Sequence, residues 1–347
     1  MRPLEHFIWV CRVVSPFSTR ARIIDQAPAP IRWDLVFAVA SAHLILPFVH
    51  PRLAERGLLE LAPLEARDAL EQMTLLNAGR NAALAGQMER VSAALNRADI
   101  VPVWLKGAAR LIEGTRWSTM RPMLDLDLWV PDTDMRCAVG ALEAEGYRSR
   151  AEDRPNAKHG APLFHDGETA RVELHYRLVD PAHSRILSNE SLLAGAIELE
   201  WRGCKVGMPC AADQLLNIIS QNTAQELRCG LVQARRPLEF VELCSEQGVA
   251  ASLQRVRDTY RRAEDAAYAE SYLALAANLF GLPGEFPATV SLTPFAMRLN
   301  FPRLHALWLG YLDMRRYLRD TSFTKPDEFL AKLVRRTWKA LRRDDAW

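Results

Sequence analysis

The run Leu124-Asp125-Leu126-Asp127-Leu128-Trp129-Val130 constrains this chain more than any other stretch. Its apolar and acidic residues alternate, so on a strand Asp125 and Asp127 project from one face and the leucines from the other. A packed strand gains nothing from two unpaired like charges on one side, because burying them together is costly. A divalent metal removes that cost. Hard oxygen ligands on one rigid face suit Mg²⁺ (or Mn²⁺), which usually shares its shell with substrate phosphates. The run therefore points to a metal-dependent site acting on a nucleoside triphosphate (NTP).

Two further segments bear on the same chemistry. Val172-Glu173-Leu174-His175-Tyr176 is a second alternating strand; if it neighbours the first, Asp125, Asp127 and Glu173 converge. Three carboxylates are enough for two metals, or for one metal and a base. Upstream, Val101–Leu105 reads as a short buried strand, Lys106-Gly107 as its end and Ala108–Glu113 as a helix. Glycine permits close approach of the backbone to a phosphate, the helix amides favour an anion, and Lys106 adds a charge. Plainer readings stand beside each of these. Asp125 could simply pair with Arg121, Glu173 could lie on a surface edge strand, and Lys106-Gly107 could be an ordinary turn. Arg121 could neutralise a transferred phosphate or pair with Asp125. His175 shares the face of Glu173 and could contact substrate or be structural. His159 and His165 are weaker candidates, and Asp213 reads as a first-turn helix acid.

The segments Val103-Trp104-Leu105-Lys106-Gly107-Ala108-Ala109, Arg121–Val130, Lys158–Leu163 and Val172–Tyr176 together resemble the bacterial uncharacterised nucleotidyltransferase family, within the DNA polymerase β-like superfamily. The resemblance covers about residues 70–245. It implies transfer of a nucleoside monophosphate from an NTP to an acceptor, with Asp125, Asp127 and Glu173 as the metal-binding acids. It also implies phosphate contacts around Lys106 and Gly107. Most of the superfamily carries Gly-Gly or Gly-Ser after the first strand; Lys106-Gly107-Ala108 departs from that, although the Leu-Lys-Gly form is typical of this family. An Asp-x-Asp pair also occurs in nucleotide-sugar glycosyltransferases, but that reading leaves Lys106-Gly107 and Glu173 unexplained. A nucleotide- or partner-binding module of the same fold, without turnover, is the other alternative. The acceptor is open: a small molecule, a peptide, a protein side chain or an RNA end.

The rest of the chain supplies context. Periodicity predicts helices over about 31–98, including Arg32–Val49, Leu53–Leu61 and a face of Leu84, Met88, Val91 and Leu95, with Pro51 and Pro63 as punctuation. Helical patterns return after about 206, with a stop at Gly281 and Pro283. The expected architecture is α+β: an N-terminal helical region (1–98), a small mixed-sheet nucleotidyltransferase core (99–205) and a C-terminal helical region (206–347). The acceptor is expected in a cleft between that core and the C-terminal helices. A net charge of +2 gives no sign of a general nucleic-acid binder, so any basic function would be local. Six cysteines without close metal-type spacing read as reduced thiols of a cytoplasmic protein. The apolar stretch Leu35–Val49 is too short to span a bilayer, so no integral membrane association is expected. The segment Lys332–Arg343 is basic with an apolar stripe and could face an acidic partner.

Overall fold

The computed structural model describes residues 2–300, apart from 116–117, 151, 157 and 180–182, together with His305. The basic segment Lys332–Arg343 lies outside the described residues. The fold is α+β. Helices α1 (Arg2–Val14), α2 (Arg20–Asp25), α3 (Trp33–Ala42), α4 (Leu46–Glu55) and α5 (Leu64–Arg97) precede strand β1 (Val103–Trp104) and helix α6 (Lys106–Glu113). Then come β2 (Asp125–Trp129), α7 (Met135–Ala144), β3 (Arg171–His175), α8 (Asn189–Gly195) and the hairpin β4 (Ile197–Trp201) and β5 (Cys204–Met208). Helices α9 (Ala211–Ser220), α10 (Ala224–Arg228), α11 (Arg235–Gln247), α12 (Val249–Arg262), α13 (Ala266–Phe280) and α14 (Thr293–Asn300) follow.

The five strands form one mixed sheet in the order β3-β2-β1-β5-β4. β2 runs parallel to β3, β1 antiparallel to β2, and β5 parallel to β1. One sheet face is apolar. Trp104, Leu126, Leu128, Val172, Leu174 and Val206 pack there against Leu84, Met88, Val91 and Leu95 of α5 and Ala138 and Leu142 of α7. Burying this apolar layer supplies the driving force for the sheet and leaves Asp125, Asp127, Glu173 and His175 on the opposite face.

Helices from the two ends of the chain share a second core. Phe7, Val10, Val39, Phe48 and Leu53 pack with Leu216, Phe240, Tyr272 and Phe280. α5 joins both cores: Leu70, near its start, belongs to the helical one, and Leu84–Leu95 to the sheet. At 1.5 Å per residue its 34 residues reach about 50 Å.

Local details differ from the sequence reading. The stretch 32–49 is two helices, because Leu44 adopts a left-handed φ of 57° and the Ile45 amide bonds back to the Ala40 carbonyl at 2.9 Å. Pro51 does not end a helix; it lies inside α4. It has no N–H to offer the Pro47 carbonyl, and the Thr74 hydroxyl of α5 lies 3.2 Å from that oxygen and 2.9 Å from the Leu70 carbonyl, sharing one proton between them. The β4–β5 hairpin was not expected. It closes through Arg202 and Gly203, both at positive φ (49° and 76°), the geometry of a two-residue type I′ turn.

Three acids at i, i+3 and i+7 on α11 each hold an arginine from another part of the chain. Glu239 takes Arg121, Glu242 takes Arg52 of α4, and Glu246 takes Arg110 of α6. The Arg52–Glu242 pair is buried on both sides. Glu242→Gln should therefore destabilise the fold, near the lower end of the roughly 3–5 kcal/mol that breaking a buried pair costs, because Glu55 still approaches Arg52 at 3.3 Å. Urea denaturation measures this, and a loss below about 1 kcal/mol would refute the role given to the pair.

His43 joins the two helical ends. Its Nδ1 accepts the Ala234 N–H at 3.2 Å, and its ring stacks on Phe7 at 4.3 Å. Burial, with a smaller push from Arg298, lowers the imidazole from 6.5 to about 3. Below pH 6.5 the unfolded chain binds a proton that the folded chain refuses. Stability should fall as the pH drops from about 6.5 toward 3, by up to about 1.4 kcal/mol per pH unit. Comparing unfolding of the wild type and His43→Gln between pH 7 and 4 tests this. The variant should lose that share of the slope, and an identical slope would exclude His43 as its source.

Candidate active site

The register of β2 and β3 assembles the acidic face. Asp125 lies beside Arg171, Asp127 beside Glu173 and Trp129 beside His175. Both strands are held where they begin by polar side chains of α5. Asn81 Nδ2 donates to the Arg121 carbonyl and Arg80 Nε to the Met123 carbonyl, each at 3.0 Å, just before β2. Gln87 pairs with the backbone of Ala170 in both directions, at 2.7 and 3.0 Å, just before β3. The asparagines and glutamine of that helix thus satisfy loop backbone that would otherwise be buried without partners.

Asp127, Glu173 and His175 are buried, and one donor atom of each lies within 4.8 Å of the others. His175 Nδ1 faces the Arg177 carbonyl at 3.2 Å and Nε2 faces Asp127 Oδ1 at 2.7 Å. The carbonyl fixes the ring and keeps Nε2 aimed at the acids, the arrangement that holds imidazole ligands in metal sites. Two carboxylates and one imidazole form a donor set that fits a divalent cation. Asp125 lies on the same face but outside this group; it is part-exposed and held by Arg171 Nη2 at 3.3 Å.

Two cations and a histidine of the chain occupy the acids. Lys106 Nζ meets Asp127 Oδ1 at 2.6 Å, Arg171 Nε meets Glu173 Oε1 at 2.9 Å, and His159 Nε2 approaches Glu173 Oε2 at 3.3 Å. Burial works to raise the Asp127 carboxyl, but the Lys106 ammonium and then the His175 hydrogen bond outweigh it and hold the group well below the usual carboxylate range. Asp127 is therefore ionised at any physiological pH.

Lys106 is both a participant and a strained point. Its φ of 51° is left-handed, unusual for a residue with a side chain and of the kind that costs on the order of 1–3 kcal/mol. The strand-to-helix turn is held by the Leu105 amide on the Asp127 carbonyl at 2.9 Å and by the Lys106–Asp127 pair itself. α6 begins at Lys106 rather than after it, and the Ala108 and Ala109 amides already bond the Leu105 carbonyl.

Gly107 and Arg121 explain each other. A Cβ at 107 would collide with the Arg121 guanidinium and the Met123 sulfur. Arg121 is buried over that glycine, with Nε on Glu239 Oε1 at 2.7 Å, so it reaches α11 and does not pair with Asp125. Burial lowers the guanidinium's pKa, and Glu239 opposes that shift. Beside this contact, Lys106 and Arg110 face Gln214 and Asn217 of α9, Gln221 just after it and Glu239 of α11 across a narrow cleft. His165 packs on Tyr147 away from the site, and Asp213 sits in the first turn of α9.

Sequence reasoning passed over Arg171 and Glu239 and ranked His159 low. Arg171 was findable, since it stands two residues before Glu173 on a recognised alternating strand. Glu239 shows locally only its i,i+4 pair with Arg235 at 2.8 Å; its second partner, Arg121, is 118 residues away.

Residues 29–281 match the sequence pattern of a family described as uncharacterised nucleotidyltransferase. No curated protein matches the chain. Among solved structures, the solution structure of the antibiotic-resistance factor ANT(2'')-Ia is similar, at 16% identity over 53% of this chain and 94% of that one, with a TM-score of 0.39.

The packing at Gly107 yields a stability test. Gly107→Ala should cost about 1–3 kcal/mol by overpacking Arg121. Gly79→Ala, on α5 with nothing near its added methyl, should stabilise by about 0.5–1 kcal/mol. Chemical denaturation of both variants decides; a neutral Gly107→Ala would mean that Arg121 does not need the vacant position.

Proposed function

The chain belongs to the uncharacterised nucleotidyltransferase family, and on that premise we propose that it is a Mg²⁺- or Mn²⁺-dependent enzyme that transfers a nucleoside monophosphate from an NTP to an acceptor. The observation that carries this is the convergence of Asp127, Glu173 and His175 within 4.8 Å on a polar sheet face, with Asp125 adjoining. Asp127 and Glu173 hold the cation, His175 is a further donor, and Asp125 joins once Arg171 lets go. When bound, the cation neutralises phosphate charge and favours the ionised form of the attacking hydroxyl. Lys106, released from Asp127, turns its ammonium to the polyphosphate. Gly107 and the start of α6 lie next to those phosphates. Arg121 keeps α6 in place from behind, through Gly107.

In the transfer, the acceptor oxygen bonds to the α-phosphorus while the bond from that phosphorus to the bridging oxygen breaks. Pyrophosphate leaves with the bridging electrons, and the acidic cluster takes the acceptor's proton. The cleft of α6, α9 and α11 opens beside Lys106 and is the candidate acceptor site. Its lining sets Lys106, Arg110, Glu239 and three side-chain amides beside Ile218 and Leu243, which suits an acceptor with both polar and apolar parts. Among the described residues no helix is long and apolar enough to cross a membrane. All six cysteines are free, which supports a reducing, cytoplasmic setting.

Purified protein incubated with each labelled NTP, a divalent cation and a cell extract should form a labelled adduct and release pyrophosphate, with mass spectrometry identifying the acceptor. Asp127→Asn and Glu173→Gln should each lower turnover by about 10²–10⁴-fold. Unchanged turnover in either variant would overturn the assignment. Cation-dependent nucleotide retention without pyrophosphate release would favour a binding module instead, a reading that the Lys106–Asp127 pair supports.

A further inference from the structure

Arg171 makes and breaks no bond in the transfer described above, yet at the open end of β3 it lies across two of the acids. It opens β3 directly beside Asp125 and two residues before Glu173. Its guanidinium bridges the two, with Nε 2.9 Å from Glu173 Oε1 and Nη2 3.3 Å from Asp125 Oδ2. Lys106 covers the remaining acid, Asp127. Without these cations, three carboxylates on one face would repel each other strongly in a part-buried setting.

The two cations differ in freedom. The Lys106 side chain is 20% exposed and hangs from a strained turn, while that of Arg171 is 42% exposed at the open end of the strand. A divalent cation held by Glu173 and Asp125 would draw on the two carboxylates that the guanidinium bridges, even where it takes Glu173 Oε2 while Arg171 holds Oε1. Two positive groups cannot both sit against Asp125 and Glu173 without repulsion, so one must yield. The exposed arginine gives way at the lower cost, because its charge can return to solvent. Displaced, it stays at the rim of the face, and a guanidinium matches phosphate oxygens two at a time.

We infer that Arg171 is a resident counter-ion that competes with the divalent cation for Asp125 and Glu173 and, once displaced, binds the polyphosphate of the nucleotide. This rests on the nucleotidyl-transfer reading of the same site. It makes cation and nucleotide mutually reinforcing ligands: each pays part of the cost of moving Arg171 for the other, and the coupling is reciprocal. Arg171 is in this sense a positioning residue that keeps the acids ordered before either ligand arrives.

The test uses the full-length chain with bare Mn²⁺, followed by electron paramagnetic resonance, and with the Mn²⁺–tripolyphosphate complex, followed by equilibrium dialysis. Arg171→Gln removes the charge. It should bind bare Mn²⁺ roughly three- to tenfold more tightly than the wild type and the tripolyphosphate complex more weakly by a similar factor. Arg171→Lys keeps the charge and should bind bare Mn²⁺ close to the wild-type level. A purely structural arginine would weaken both ligands together when lost. Bare Mn²⁺ affinity in Arg171→Gln that is equal to or weaker than wild type would overturn the inference, as would unchanged binding of the complex. A wild-type chain that takes up neither ligand would bring down the nucleotidyl-transfer reading itself.

Discussion

The pairing of β2 with β3 is the constraint on which the site depends. Side chains alternate along both strands, so a slip of one residue would drive Glu173 and His175 into the apolar layer over α5 and turn Val172 and Leu174 out. The apolar side excludes that slip, because Leu126, Leu128, Val172 and Leu174 are all fully or almost fully buried. The contacts that make the core therefore also bring the carboxylates of Asp127 and Glu173 together. Stability and the candidate chemistry are set by one register, read on opposite faces of the same sheet.

α5 extends this control beyond the strands. A long helix with so many amides would be a poor packing element if its polar side chains faced water alone. Asn81, Arg80 and Gln87 instead bind the backbone just ahead of β2 and β3. Each bond satisfies a loop carbonyl and fixes where a strand enters the sheet. The helix thus supplies an apolar stripe to the sheet and a polar stripe to the loops that deliver the acids. Hydrophobic periodicity alone detects only the first of these.

Much of the architecture could be read from the chain for a physical reason: alternation and helical spacing are local signals. Asp125, Asp127, Glu173 and His175 share a face because their spacing is even, and α13 stops where Gly281 and Pro283 stop it. The β4–β5 hairpin is the exception: it went unpredicted although Ile197, Leu199 and Trp201 alternate before Arg202-Gly203. The partners of the acids were less accessible. The bridge of Arg171 to Asp125 needs β2 and β3 placed side by side, and the contact of Arg121 with Gly107 and Glu239 depends on helices far apart in the chain. Sequence spacing carries direction but not the identity of a long-range partner. A counter-ion is therefore visible only once the strands are placed beside each other.

The acids of α11 show how the site is joined to the rest of the molecule. Glu239 and Glu246 lie on one face of that helix and take Arg121, which packs over Gly107, and Arg110, in the last turn of α6. These two pairs span the junction between the sheet unit and the C-terminal helices, beside the cleft lined by Lys106 and Asn217. Buried or half-buried ion pairs contribute modestly to stability but are strict about geometry, because each charge tolerates few positions once it is withdrawn from water. Such pairs suit a wall that must keep a fixed width. Apolar packing between α6 and α11 would tolerate sliding, whereas a guanidinium set against a carboxylate at 2.7–2.8 Å would not. The separation of Lys106 from the amides of α9 is then a property of α11.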